Sequence, residues 1–209
     1  NSSWLWLAAP DSEDDDEKDA ADAVSHDSQD DDDPCDEEGW YWFGSDGKMY
    51  KDAKQKKING KYYYFNNHGQ MLYEWINGVK ANVASNAKLD SDSIEATASE
   101  VRYMNVVEEG WRADGWYQID GAWYFMNADG SLKQNESFLY DNNLYFVNKS
   151  GKMYQNQWLK WDGNYYYLRS WGGAAHEGWL LLQNKYYYIN EDCTRKTDEA
   201  FTYDNNLYF

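Results

Sequence analysis

The chain has 209 residues, of which 20 Tyr, 12 Trp and 7 Phe form an unusually large aromatic share, and its formal net charge is -18. Sixteen acidic residues against the single Lys18 fall between Asp11 and Glu38, so the remainder is nearly neutral and offers no basic stripe for a nucleic acid. No run of about 18 apolar residues exists to span a membrane, and Cys35 and Cys193 are too few for a disulfide framework and lack the spacing of a zinc site.

In chain order, "WLWL" at 4–7 reads as the first strand of a hairpin and "GWYWF" at 39–43 as its second. The acidic run, residues 8–38, then stands as a flexible insertion where a short turn would normally sit. "GKYYYFNNHGQM" from Gly60 repeats "GWYWFGSDGKM" from Gly39 and sets Tyr63 22 positions after Tyr41. Residues 81–100 form a second, polar insertion, and the capping-box spacing of Asp92 and Glu95 before an Ala-rich stretch points to a short helix.

From Tyr103 a 21-residue period sets in, with Tyr103, Tyr124, Tyr145, Tyr166, Tyr187 and Tyr208 in one column. Ahead of the tyrosines stand Asp120-Gly121, Asp141-Asn142, Asp162-Gly163, Gln183-Asn184 and Asp204-Asn205, dipeptides that supply the positive φ of a type I′ hairpin turn. A longer turn closes each unit with Gly130, Gly151 and Gly172, and the fourth copy puts Cys193 there. A Cβ in a position that calls for positive φ is an anomaly, marking either a degenerate repeat or a cysteine with a partner. The heptapeptide "YDNNLYF" at 140–146 and 203–209 is one turn and one strand of this unit, seen three units apart. One 21-residue hairpin cannot bury its apolar face alone, whereas stacked copies can. The expected fold is therefore all-β, a single solenoid over 1–209 of seven to eight stacked β-hairpins, interrupted by the two polar insertions. The absence of a signal peptide at Asn1 and the break in pattern at Phe209 suggest a fragment of a longer chain.

The units "GAWYFMNADGSL", "NLYFVNKSGKMYQNQW", "GNYYYLRSWGGAAHEGW", "GKYYYFNNHGQMLYEW" and "GWYWFGSDGKMY" resemble the choline-binding or cell-wall-binding repeats of Gram-positive surface proteins, a family that includes glucan-binding repeats. The resemblance implies an extracellular, surface-associated module of a larger secreted protein or adhesin. Its partners would be choline-bearing teichoic acid, peptidoglycan or glucan, and successive hairpins would hold a quaternary ammonium group in an aromatic cage. Carried over, the first-strand Trp falls on Trp116, Trp158, Trp179 and, in the looser half, Trp75. The second strand opens on Tyr62, Trp123, Tyr165 and Tyr186, followed two residues on by Tyr64, Phe125, Tyr167 and Tyr188. Ser137, Ala200 and Ala53 replace the Trp elsewhere, so Trp158, Tyr165, Tyr167 and Trp179 form the one step that keeps every wall. The tyrosine column, on the opposite face of each strand, reads as packing.

Catalysis finds no support: His26, His68 and His176 lie in unrelated contexts, and GxSxG, HExxH and phosphate-cradling glycine loops are missing. The acidic run lacks the glycine and glutamate spacing of a calcium loop, so no metal and no cofactor are expected. The competing reading is a structural spacer or adhesin stalk whose rings are all packing and whose insertions meet a protein partner.

Overall fold

The computed structural model describes residues 2–7, 38–51, 53–77, 94 and 100–208. All but Glu38 of the expected acidic loop over 8–38, including Cys35, and all but Ile94 and Glu100 of the polar insertion lie outside the described residues. Among those described there are sixteen strands in eight antiparallel hairpins and no helix. The hairpins are β1 (Ser3–Leu7) with β2 (Gly39–Phe43), β3 (Ala53–Ile58) with β4 (Lys61–Phe65), and β5 (Glu74–Asn77) with β6 (Val101–Met104). After them come β7 (Gly115–Ile119) with β8 (Ala122–Met126), β9 (Glu136–Tyr140) with β10 (Asn143–Val147), and β11 (Gln157–Trp161) with β12 (Asn164–Leu168). The last two are β13 (Gly178–Leu182) with β14 (Lys185–Ile189) and β15 (Phe201–Tyr203) with β16 (Asn206–Tyr208). The fold is the all-β hairpin repeat that the period implies. It divides into two compact units, Asn1–Gly115 with Met126–Leu132, and Trp116–Phe125 with Lys133–Phe209.

The turn dipeptides adopt the backbone their chemistry favours. Asp141 and Asn142 have φ of 47° and 59°, Asp162 and Gly163 of 45° and 81°, and Asp204 and Asn205 of 47° and 58°. The side chains of Asn143 and Asn206 donate back to the carbonyls of Asp141 (2.8 Å) and Asp204 (3.0 Å), which fixes the loop. The 22-residue step in the first half has a local cause: β3 carries a bulge between Ala53 and Lys56, with Gln55 at φ 51°, and the bulge absorbs the extra residue.

Hairpins are joined to their predecessors by backbone. In the second unit the N–H groups of Met153, Ala174 and Arg195 donate to the carbonyls of Trp123 (2.8 Å), Leu144 (2.9 Å) and Tyr165 (2.7 Å). In the first unit Met71 and Arg112 donate in the same way to Trp40 and Tyr62, both at 2.8 Å. Each of these residues follows a closing turn and bridges to the last residue of its own hairpin, as in Val147 with Met153 and Ile189 with Arg195. Val147, Leu168 and Ile189 are wholly buried at those strand ends, so apolar burial and the stacking hydrogen bonds reinforce each other.

The same stacking explains Cys193. At Gly172 (φ 95°) an added Cβ would stand 2.3 Å from Met153 Sδ, and at Gly69 (φ 90°) 2.7 Å from Met49 Sδ, so glycine is needed beside a long side chain. Cys193 keeps the positive φ (67°), but the residue at the position of Met153 in its step is Ala174. The two are buried together with Phe146 and Leu168. A small side chain in the turn is balanced by a small one in the preceding unit, and burial pushes the Cys193 thiol above its ordinary pKa, with Asp192 adding to the effect.

Candidate functional site

Trp179 on β13 lies opposite Tyr188 on β14, one residue beyond the tyrosine column, and period-two alternation puts Tyr186 on the same face. The ring of Trp179 meets Tyr186 at 6.3 Å and Tyr188 at 5.2 Å. The next hairpin adds Phe201 at 5.9 Å, Tyr203 at 5.9 Å and Tyr208 at 4.8 Å. Of these rings Trp179, Tyr186, Tyr188, Phe201 and Tyr208 line an open cavity of about 550 Å³, together with Arg195, Lys196, Asp198 and Glu199. Trp179 is 38% exposed and Tyr186 68%, so ring faces remain available to a ligand.

Sixty-three residues earlier the arrangement recurs. Trp116 meets Trp123 at 6.4 Å, Phe125 at 5.1 Å, Phe138 at 5.7 Å, Tyr140 at 6.2 Å and Tyr145 at 4.9 Å. Lys133 over the Phe138 ring is paired with Glu136 at 3.2 Å, as Lys196 over Phe201 is with Glu199 at 2.9 Å. The two copies of "YDNNLYF" thus lend Tyr140 with Tyr145 to the first cluster and Tyr203 with Tyr208 to the second. Although their own first strands lack the Trp, these units complete the sites of the hairpins before them.

Trp158 stands opposite Tyr167 (rings 5.3 Å apart), and its other ring partner is Tyr187 of the next hairpin at 5.0 Å. Arg195 lies over this group, its Cζ 4.5 Å from the Tyr165 ring and 5.3 Å from that of Trp158. The four walls expected of one step are therefore divided: Trp158, Tyr165 and Tyr167 belong to one cluster, and Trp179 belongs with Tyr186 to the next. Trp75 is 5% exposed and edges onto Tyr103 at 4.9 Å. Its pairing is that of the other two: Trp75 lies opposite Tyr103, next to the strand-end Met104, as Trp158 lies opposite Tyr167 next to Leu168 and Trp179 opposite Tyr188 next to Ile189. Met104, Leu168 and Ile189 each bridge to the residue after the closing turn, so in this hairpin Tyr103 stands at the wall position and Arg102 at the column position.

Two groups of residues escaped the sequence reading. The first is the column: Tyr145, Tyr187 and Tyr208 each lie 29 positions after the Trp they touch, serving as packing and as the third wall of the preceding hairpin's cluster. The signal was there in the constant offset, but alternation within one hairpin cannot show what is stacked on it. Burial raises the pKa of the Tyr145 phenol, helped by Asp141 and Tyr140, so this wall stays neutral. The second lies in the first unit, where a cavity of about 220 Å³ is lined by Trp4, Trp40, Tyr63, Met71 and Trp111, with Glu108 and Glu109. Trp4 meets Trp42 at 5.0 Å and Tyr63 at 4.9 Å, and burial together with Glu109 raises the Tyr63 pKa. Electron-rich ring faces beside carboxylates attract cations. Among the described residues no group of three His, Cys, Asp or Glu side chains is placed to hold a metal ion.

Comparison with known proteins agrees with this geometry. Four stretches, residues 35–49, 56–71, 114–132 and 156–174, match the repeat described as "Putative cell wall binding repeat". The chain is similar in structure to CbpJ from Streptococcus pneumoniae, at 19% identity over 82% of this chain and 54% of that one, with a TM-score of 0.62. It is also similar to choline binding protein F from Streptococcus pneumoniae, solved in the presence of a peptidoglycan analogue, at 22% identity over 76% of this chain and 44% of that one, with a TM-score of 0.57. The chain spans about half the length of these relatives, and at such identities the likeness carries the fold. No curated sequence matches it significantly. Four stretches of the chain thus carry the cell wall binding repeat, on a fold shared with these two proteins.

Proposed function

We propose that the chain is a non-catalytic module that attaches a larger secreted protein to choline-bearing polymers of the cell wall, through aromatic cages at Trp4, Trp116 and Trp179. The observation that carries this reading is the Trp179 cavity, where Trp179, Tyr186 and Tyr208 border open space with Asp198 and Glu199 at the rim. A quaternary ammonium group matches such walls, since it offers positive charge and apolar surface but no hydrogen-bond donor. Each cation–ring contact contributes about 0.5 to 2 kcal/mol, so one cage binds weakly. Several cages on one polymer raise retention by about 10² to 10⁴ through effective concentration. The peptidoglycan analogue with choline binding protein F points to the same class of polymer.

Passing the chain over immobilised choline, insoluble glucan and choline-free cell walls tests the reading. Retention on choline and release by free choline are expected. Retention on glucan alone would assign the rings to sugar stacking, and retention on none of the three would leave the stalk reading, which buried rings such as Trp42 and Trp75 favour.

A further inference from the structure

In the second unit one aromatic cage already contains a cation of the chain's own. The Arg195 guanidinium carbon lies 4.5 Å from the Tyr165 ring, 5.3 Å from Trp158 and 6.0 Å from Tyr187. These rings correspond to Trp116, Trp123 and Tyr145 one cluster earlier: a first-strand Trp, the residue opening the second strand, and the column Tyr of the next hairpin. The backbone of Arg195 is anchored to the Tyr165 carbonyl, as Met153 is to that of Trp123 and Met71 to that of Trp40. One position of the repeat is therefore tied by its backbone to the hairpin before it, and in Arg195 and Met71 its side chain lies among that hairpin's rings. At the Trp4 and Trp116 steps that side chain is an uncharged thioether.

We propose that Arg195 occupies the ligand position of the Trp158 cage and closes it to external cations, and that Met or Arg at this position decides which steps bind. The inference rests on the cation-binding reading given above. A guanidinium stacks on aromatic faces and remains charged at any physiological pH. A second cation entering the same cage would meet both its volume and its charge. The first unit holds a parallel case: Arg112, anchored to the Tyr62 carbonyl, lies with its Cζ 4.5 Å from the Tyr62 ring. Its guanidinium is held there by Gln55 Oε1 at 2.8 Å and the Ala128 carbonyl at 2.7 Å. At this position the two steps whose preceding hairpin carries Trp4 or Trp116 have Met71 and Met153, Arg112 and Arg195 lie over rings, and the remaining steps have Leu132 and Ala174. The sequence reading chose Trp158 because every ring was present, and the occupant was invisible because it lies thirty residues beyond Tyr165.

The test counts equivalents of choline bound per chain by equilibrium dialysis in wild type, Arg195→Met and Arg195→Lys. The fold already accepts Met at this position in Met71 and Met153, and Arg195→Leu, as at Leu132, serves should the first variant fail to fold. Arg195→Met is expected to bind one more equivalent than wild type and to lose it on adding Trp158→Ala, while Arg195→Lys matches wild type. Unchanged stoichiometry in Arg195→Met and Arg195→Leu would overturn the proposal, as would loss of an equivalent from wild type on Trp158→Ala. A readout without ligand separates the two readings. Collisional quenching of Trp158 by caesium ion, taken as the difference from a Trp158→Phe chain, should increase at least twofold in Arg195→Met. An increase with no choline bound by either chain would uphold the closed cage and refute choline as ligand. No increase would refute the closed cage whether or not wild type binds choline.

Discussion

Ala174→Met is expected to destabilise the second unit by about 1 to 3 kcal/mol, the usual cost of overpacking, and Cys193→Gly in the same chain should return most of the loss. In the preceding step Met153 lies where a Cβ on Gly172 would come within 2.3 Å of its sulfur, so a long side chain and a Cβ exclude each other. The Cys193 step solves the conflict in the opposite sense, with Ala174 opposite a cysteine at φ 67°. Cys193→Gly alone combines two opposed effects of about 1 kcal/mol each: it relieves the left-handed backbone and leaves a small cavity. A net change near zero is expected for it. Urea unfolding of the four chains forms a double-mutant cycle, and a favourable coupling above about 1 kcal/mol is the expected result. Additive changes would show that the two positions do not share one packing site.

Trp116→Ala combined with Trp179→Ala should lower retention on a choline-bearing polymer by about 100-fold, and either change alone by about 10-fold, because losing cages removes avidity as well as contacts. Each indole meets five other rings, so its removal opens the cage from the centre. Trp75→Phe is the matching control: this ring is 5% exposed and its loss should leave retention unchanged while lowering stability. Equal losses for Trp75→Phe and Trp179→Ala would mean that binding reports folding and nothing more specific.

The parts of this fold that depend on local chemistry were legible in the residues. Asp-Gly and Asp-Asn dipeptides dictate hairpin turns wherever they stand, and a constant 21-residue step dictates stacking. Trp116, Trp123, Trp179 and Tyr186 were accordingly found with ring faces turned to the clusters. What escaped depends on neighbours remote in sequence. Trp4 and Trp40 share a cavity across the acidic run, Arg195 reaches back to Trp158, and the column tyrosines complete the preceding hairpin's ring cluster. Trp75 shares the pairing register of Trp158 and Trp179, and its burial, at 5% exposure, is what sets it apart. Cys193 looked like an irregularity until Ala174 was seen beside it.

The most direct test of the cage assignment is the indole N–H spectrum of the twelve tryptophans, followed by NMR as choline is added. Trp4, Trp116 and Trp179 should shift progressively and saturate, while Trp75, buried, and Trp158, covered by Arg195, stay in place. Saturable shifts at Trp75 or Trp158 with none at Trp116 and Trp179, or no shifts at any indole, would contradict it.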